Sequence, residues 1–219
     1  MTIKEILRGV YPERGEGLRM TEWGTSALVK VLLWRRITGD GMLDFKALWD
    51  KALSFESFVA SCKAEHCGLW QGVYKLARIP DWALAAVPSG ASRKLLVIAE
   101  DWCGDASNTV PIIAKLVDLA PGLELRVIQR DENPELMDQY LTNGSRSIPI
   151  VIALDDGFQE VGHWGPRPAQ LQAWVMANRA TTPKAELYPQ VRKWYARDRG
   201  ETTLREVLEA AGLSVAKVA

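Results

Sequence analysis

The chain is poor in the residues that staple, chelate or span. It holds three cysteines and two histidines in 219 residues, and a chain of this length can bury a core without covalent staples, so no disulfide framework is expected. Cys62, His66 and Cys67 lie close in sequence, but their spacing fits no standard zinc motif and a fourth ligand is missing, so no metal site is expected. Lys plus Arg and Asp plus Glu both number 27, leaving no net charge to attract a polyanion, and neither nucleic acid nor an anionic membrane surface is an expected partner. No stretch is long and apolar enough to cross a bilayer. The opening residues Met1-Thr2-Ile3-Lys4-Glu5 carry charge where a secretory signal would be apolar, and a reducing, cytoplasmic setting is the expectation.

What is present is a change of hydrophobic period. Up to about Val87 apolar residues recur at helical spacing, with Leu28, Val31, Leu32 and Trp34 in one stripe and Phe55, Phe58, Val59 and Cys62 in another. Gly39-Asp40-Gly41 breaks one helix from the next, and Pro80-Asp81 opens a short one. Pro88-Ser89-Gly90-Ala91-Ser92 has the composition of a linker. The division expected is therefore a helical extension over 1–90, a core domain over 91–182 and a helical tail over 183–219 packed on that core.

Beyond the linker, strands alternate with helices. Leu95 to Ala99 is a continuous apolar run of the kind covered on both faces, and Leu123 to Ile128 and Ile150 to Leu154 are similar. Ile112, Ile113, Leu116, Val117 and Leu119 mark a helix between the first two, and Asn133-Pro134 starts a short one between the second two. Asp155-Asp156-Gly157 is a turn signal returning an antiparallel strand that ends at Trp164, and Leu171, Trp174 and Val175 share one face of a closing helix. The order is β-α-β-α-β-β-α, an α/β fold. In the tail, Thr203-Leu204-Arg205-Glu206 reads as a capping box, and the basic run from Arg192 to Arg199 as a solvated face.

The chemistry-bearing residue is Cys103. It follows the first apolar strand in Glu100-Asp101-Trp102-Cys103-Gly104-Asp105-Ala106, with alanine where a Cys-x-x-Cys pair would place its second thiol. In such a pair the first thiolate attacks a disulfide and the second resolves the mixed disulfide. The Trp-Cys-Gly turn, Pro111 within the following helix, Asp131-Glu132-Asn133-Pro134, and Ser147-Ile148-Pro149 before the third strand resemble the thioredoxin superfamily. That resemblance implies a thioredoxin-like core and a cis peptide bond before Pro149. It also implies that the Ile148 backbone is open to an extended substrate, with Trp102, Gly104, Asp105, Ile148, Pro149 and Trp164 bordering the groove. The family's buried carboxylate falls here on Val97.

The helix N-terminus favours a Cys103 thiolate, whereas Glu100, Asp101 and Asp105 oppose it, and no cation lies nearby in sequence; a moderately acidic thiol is expected. Cys62 is expected in the core, and Cys67, before a helix end at Gly68, is the candidate resolving thiol. Two functions follow. One is a monothiol thiol-disulfide oxidoreductase acting on protein or small-molecule disulfides or glutathionylated proteins. It would need no resident cofactor, with glutathione or another small thiol as co-substrate. The other is a non-redox binding module using the groove at Pro149. A shared iron-sulfur cluster, as in monothiol glutaredoxins, is a weaker third, because Ala106 stands where those proteins carry serine.

Overall fold

A computed structural model describes residues 43–213 of the chain. The stripe around Leu28 to Trp34, the break at Gly39 to Gly41 and the last six residues lie outside the described residues. From Asp44 onward the chain forms one compact unit. Its elements are α1 (Phe45–Lys51), β1 (Leu53–Ser54), α2 (Phe55–Ser61), α3 (Ala64–Leu76), α4 (Asp81–Ala85), β2 (Arg93–Ala99), α5 (Gly104–Leu119), β3 (Leu123–Gln129) and α6 (Pro134–Met137). A 3-10 turn (Asp138–Tyr140), β4 (Ile150–Leu154), β5 (Glu160–Trp164), α7 (Ala169–Asn178), α8 (Lys184–Asp198) and α9 (Glu201–Ala210) complete them.

The five strands form one sheet in the order β1-β3-β2-β4-β5. β2 runs parallel to β3, with Val97 opposite Val127, and antiparallel to β4, with Val97 opposite Val151. This central position explains why Leu95 to Ala99 is apolar throughout: the strand is buried on both faces, and all five residues are closed to solvent. The β-α-β-α-β-β-α order is observed from β2 to α7.

The boundary expected at residue 90 is not a break in the fold. β1 lies within the segment read as purely helical and pairs antiparallel with the edge of β3, Leu53 against Val127. A two-residue strand is too short to show an alternating pattern, which is why helical periodicity masks it. The Pro88-to-Ser92 stretch is a turn pinned to the sheet, with Ala91 N–H donating to the Pro88 carbonyl at 2.9 Å and Arg93 N–H to the Gly122 carbonyl at 2.8 Å. After residue 183 the chain continues in the same unit, with Leu171 and Val175 of α7 sharing one apolar cluster with Leu187, Val191 and Tyr195 of α8.

The expected capping box at Thr203 is also corrected. The chain leaves α8 through Arg199 and Gly200, both at positive φ, and α9 starts three residues earlier than that box implies, with Gly200 as N-cap and Glu201 as its first residue. A side chain at Gly200 would run into Ile112 of α5 at 2.5 Å, so glycine permits both the turn and the close packing. Asp198 accepts the Thr202 N–H at 3.2 Å, Thr203 is buried inside the helix, and Glu206 is engaged elsewhere. No helix among the described residues is long and apolar enough to cross a membrane.

Candidate functional site

Cys103 is the N-cap residue of α5. Its backbone is extended (φ −78°, ψ 112°), and its sulfur occupies the place where Ser, Thr or Asp usually accepts a first-turn amide: Ala106 N–H points at Sγ from 3.5 Å. Sγ in turn donates to the Ile148 carbonyl at 3.4 Å, so the turn after β2 and the loop before β4 meet at the thiol. The Ile148–Pro149 peptide is cis, as is Gly165–Pro166. The two loops approach so closely that a Cβ on Gly165, at φ 135°, would lie 2.2 Å from the Pro149 carbonyl oxygen.

The thiol is less acidic than the sequence suggests. Cys103 is only 8% exposed, and burial, opposed first by the Ala106 amide and aided by the charge of Asp105, pushes it up to about 11 against the weaker pull of the Asp105 amide and the Arg167 guanidinium. Glu100 and Asp101, its neighbours along the chain, bond to partners other than the sulfur. Glu100 Oε1 accepts the Asp131 N–H at 2.8 Å, although burial holds its carboxyl above the ordinary range. Asp101 Oδ2 accepts the Lys63 N–H at 2.8 Å at the start of α3, and its carbonyl accepts the buried Trp70 indole N–H at 2.8 Å. These bonds lock the turn to α3 and to the end of β3. Val97 is fully buried in the sheet, where the resemblance would place a carboxylate.

The cation missing from the sequence neighbourhood arrives through the fold. Arg167, in the loop between β5 and α7, forks onto Asp105: Nε donates to Oδ1 at 2.9 Å and Nη2 to Oδ2, while Nη1 donates to Gln172 at 2.9 Å. The Tyr195 hydroxyl of α8 donates to the same Oδ1 at 2.9 Å. Burial works against the Arg167 charge, yet Asp105 overcomes it and holds the guanidinium above its ordinary value. Burial and the Asp105 charge likewise raise Tyr195. Asp105 therefore serves the site through its neighbours, with its carboxylate fully engaged.

Above Cys103 opens a pocket of about 420 Å³ whose wall includes Trp102, Gly104, Asp105 and Ile148. A side chain at Gly104 would meet nothing within 4 Å, so the start of α5 is open to the cavity. Arg130, Arg146 and Arg192 join Arg167 on the wall, and Leu69, Trp102 and Tyr188, exposed by 48%, 47% and 45%, form an apolar rim. The Arg130 guanidinium lies over the Trp102 ring, 4.9 Å from its centre. Arg192 is exposed, as are Lys193, Arg197 and Arg199 of its run, and it also lines this pocket. No sequence signal pointed to Arg130, Arg146, Arg167 or Tyr188, because each is brought in from a separate segment.

Three expected site residues, Trp164, Cys67 and Pro149, do not line the pocket. Trp164 is buried, and its indole N–H donates at 2.7 Å to Glu206, which also accepts the Ala169 N–H at 2.9 Å at the start of α7. It anchors β5 to α9 and does not border the groove. Cys67 does not face Cys103: its Sγ sits 3.1 Å from the Cys62 carbonyl and 3.2 Å from the Lys63 carbonyl. The helix break falls at Cys62, and α3 continues through Gly68, which turns Cys67 toward Cys62. Cys62 is half-buried at that junction, and burial, Asp101 and Cys67 push its thiol up to about 11. Pro149 is buried, and of the Ile148–Pro149 pair only Ile148 reaches the pocket wall.

No functionally curated protein matches the chain. Among solved structures, a protein of unknown function from Pseudomonas aeruginosa is similar at 23% identity and a TM-score of 0.62, over 78% of this chain and 98% of that one. An HIV epitope-scaffold is similar at 20% identity and a TM-score of 0.63, with the same shares of the two chains. Both likenesses concern the fold alone. The thioredoxin family matches residues 52–184, which begin just before β1 and take in the Cys103 turn, the Ile148–Pro149 loop and α7. The chain belongs to the thioredoxin family.

Proposed function

We propose that the protein carries out thiol-disulfide exchange with a single thiol. The Cys103 thiolate attacks one sulfur of a substrate disulfide, forming a mixed disulfide and expelling the other sulfur as a thiolate. An external thiol then attacks the substrate-derived sulfur and returns Cys103. In the net exchange one substrate sulfur leaves as a thiolate, the other leaves in a disulfide with the external thiol, and Cys103 ends unchanged; a second external thiol completes the two-electron reduction where both substrate sulfurs are to be freed. The observation that carries this reading is the seat of Sγ, at the N-cap of α5 against the Ile148 carbonyl and beneath an open pocket, with fully buried Ala106 at the resolving position.

With the thiol pushed up to about 11, only about one molecule in ten thousand is ionised at pH 7, which makes a slow exchanger at neutral pH. The same burial favours a second reading, in which the pocket binds its ligand and Cys103 acts only as a neutral donor. Alkylation of Cys103 against pH and trapping of a mixed disulfide with oxidised glutathione separate the two. Exchange predicts a rate that climbs about tenfold per pH unit to a plateau near pH 11 and a disulfide adduct confined to Cys103. An alkylation rate with that profile and no adduct at pH 10 would overturn it in favour of binding.

A further inference from the structure

The pocket over Cys103 carries more positive charge than a disulfide requires. Four arginines line it, from the end of β3, the loop before β4, the loop before α7 and the body of α8. The one carboxylate on its wall among the described residues is Asp105, already engaged by Arg167 and Tyr195. Arg146 is held by Asp138 through two bonds of 2.7 Å, and Arg130 by Asp131 at 2.8 Å. Neither of those aspartates lines the cavity. A guanidinium has five donors, so a carboxylate that fixes its orientation leaves others for a ligand. Arg192 enters no ion pair among the described residues and is exposed on the pocket wall.

We infer that the pocket receives a low-molecular-weight thiol compound carrying at least two carboxylates. Its sulfur points to Cys103, one carboxylate meets Arg192, and another meets the wall made by Arg130 and Arg146. Charges spread over separate segments suit a ligand whose own charges are spread, and a volume of about 420 Å³ falls in the range of small-molecule sites. Trp102, held by the Arg130 guanidinium, gives the ligand an apolar surface beside the sulfur. The inference rests on the exchange reading only for the role of the sulfur. In that chemistry the pocket retains the small acidic half of a mixed disulfide on Cys103, the protein half leaves as a thiolate, and a second small thiol removes the retained half as a disulfide.

The test is calorimetric titration with S-methylglutathione, a thioether that cannot exchange, and with its diester. The expected result is saturable binding of the diacid, with the diester about tenfold weaker. Arg192→Gln should weaken the diacid about three- to tenfold, and rising salt should weaken it further. Arg179→Gln, outside the pocket, should leave binding unchanged. No saturable binding, equal binding of diacid and diester, or an Arg192→Gln variant that binds like the natural protein would overturn the inference. Oxidised glutathione then judges the chemistry separately. Diacid binding without an adduct on Cys103 keeps the pocket and rejects exchange, and an adduct without diacid preference does the reverse.

Discussion

Replacing Asp105 should damage the fold and sharpen the thiol at the same time. The carboxylate is held by Arg167 through a fork and by the Tyr195 hydroxyl, and the side chains of Arg167 and Asp105 are only 17% and 9% exposed. Asp105→Ala strands a buried guanidinium and a buried hydroxyl, and breaking a buried pair from one side costs about 3–5 kcal/mol. For a compact unit of this size, that corresponds to a fall in Tm on the order of 10 °C. Adding Arg167→Leu removes the stranded charge, so the double variant should be more stable than Asp105→Ala alone. Chemical denaturation of the natural protein and both variants measures these differences. Asp105→Asn supplies the second readout: it removes the like charge that raises Cys103 and leaves Arg167 facing the sulfur, so alkylation at pH 8 should quicken. A loss below about 1 kcal/mol in Asp105→Ala, or a double variant no more stable than the single, would refute the view that this trio is a coupled buried unit.

Two further outcomes follow from the same structure. A thiol raised from 9.0 to about 11 in the folded chain favours the folded state fully below pH 9, and that contribution fades as pH climbs from 9 to 11, by about 2–3 kcal/mol in all. Cys62 fades in the same window, so the informative quantity is the stability gap between the natural protein and Cys103→Ala, which should shrink between pH 8 and pH 10.5 in urea titrations; a constant gap would mean that Cys103 is not buried as a neutral thiol. Glu206→Ala removes the acceptor of the Trp164 indole and of the Ala169 amide, and should cost about 1–3 kcal/mol in thermal or urea unfolding. It should leave the pH profile of Cys103 alkylation unchanged, whereas a shifted profile would put Trp164 back in the groove.

The core of the fold was legible because it rests on local, periodic signals. A strand buried on both faces has to be apolar throughout, as Leu95 to Ala99 is, and the alternation from β2 to α7 follows from such runs and the turns between them. The position of Cys103 at a helix start, and the absence of a second thiol at Ala106, are likewise properties of the sequence. β1 was hidden because two residues cannot display a period. The capping box at Thr203 misled because Gly200 offered an earlier start and Glu206 found its partners in Trp164 and Ala169.

The α/β core, the place of Cys103 at a strand-to-helix turn and the alanine at position 106 can all be read along the chain. The environment in which the thiol acts comes from the way distant segments fold together. Arg130, Arg146, Arg167 and Arg192 converge on Cys103 from segments far apart in the chain, while Glu100 and Asp101, its sequence neighbours, bond to α3 and to the end of β3. The physical reason is that electrostatic and desolvation effects depend on distance through space and on access to water, and neither is written in the order of residues along the chain.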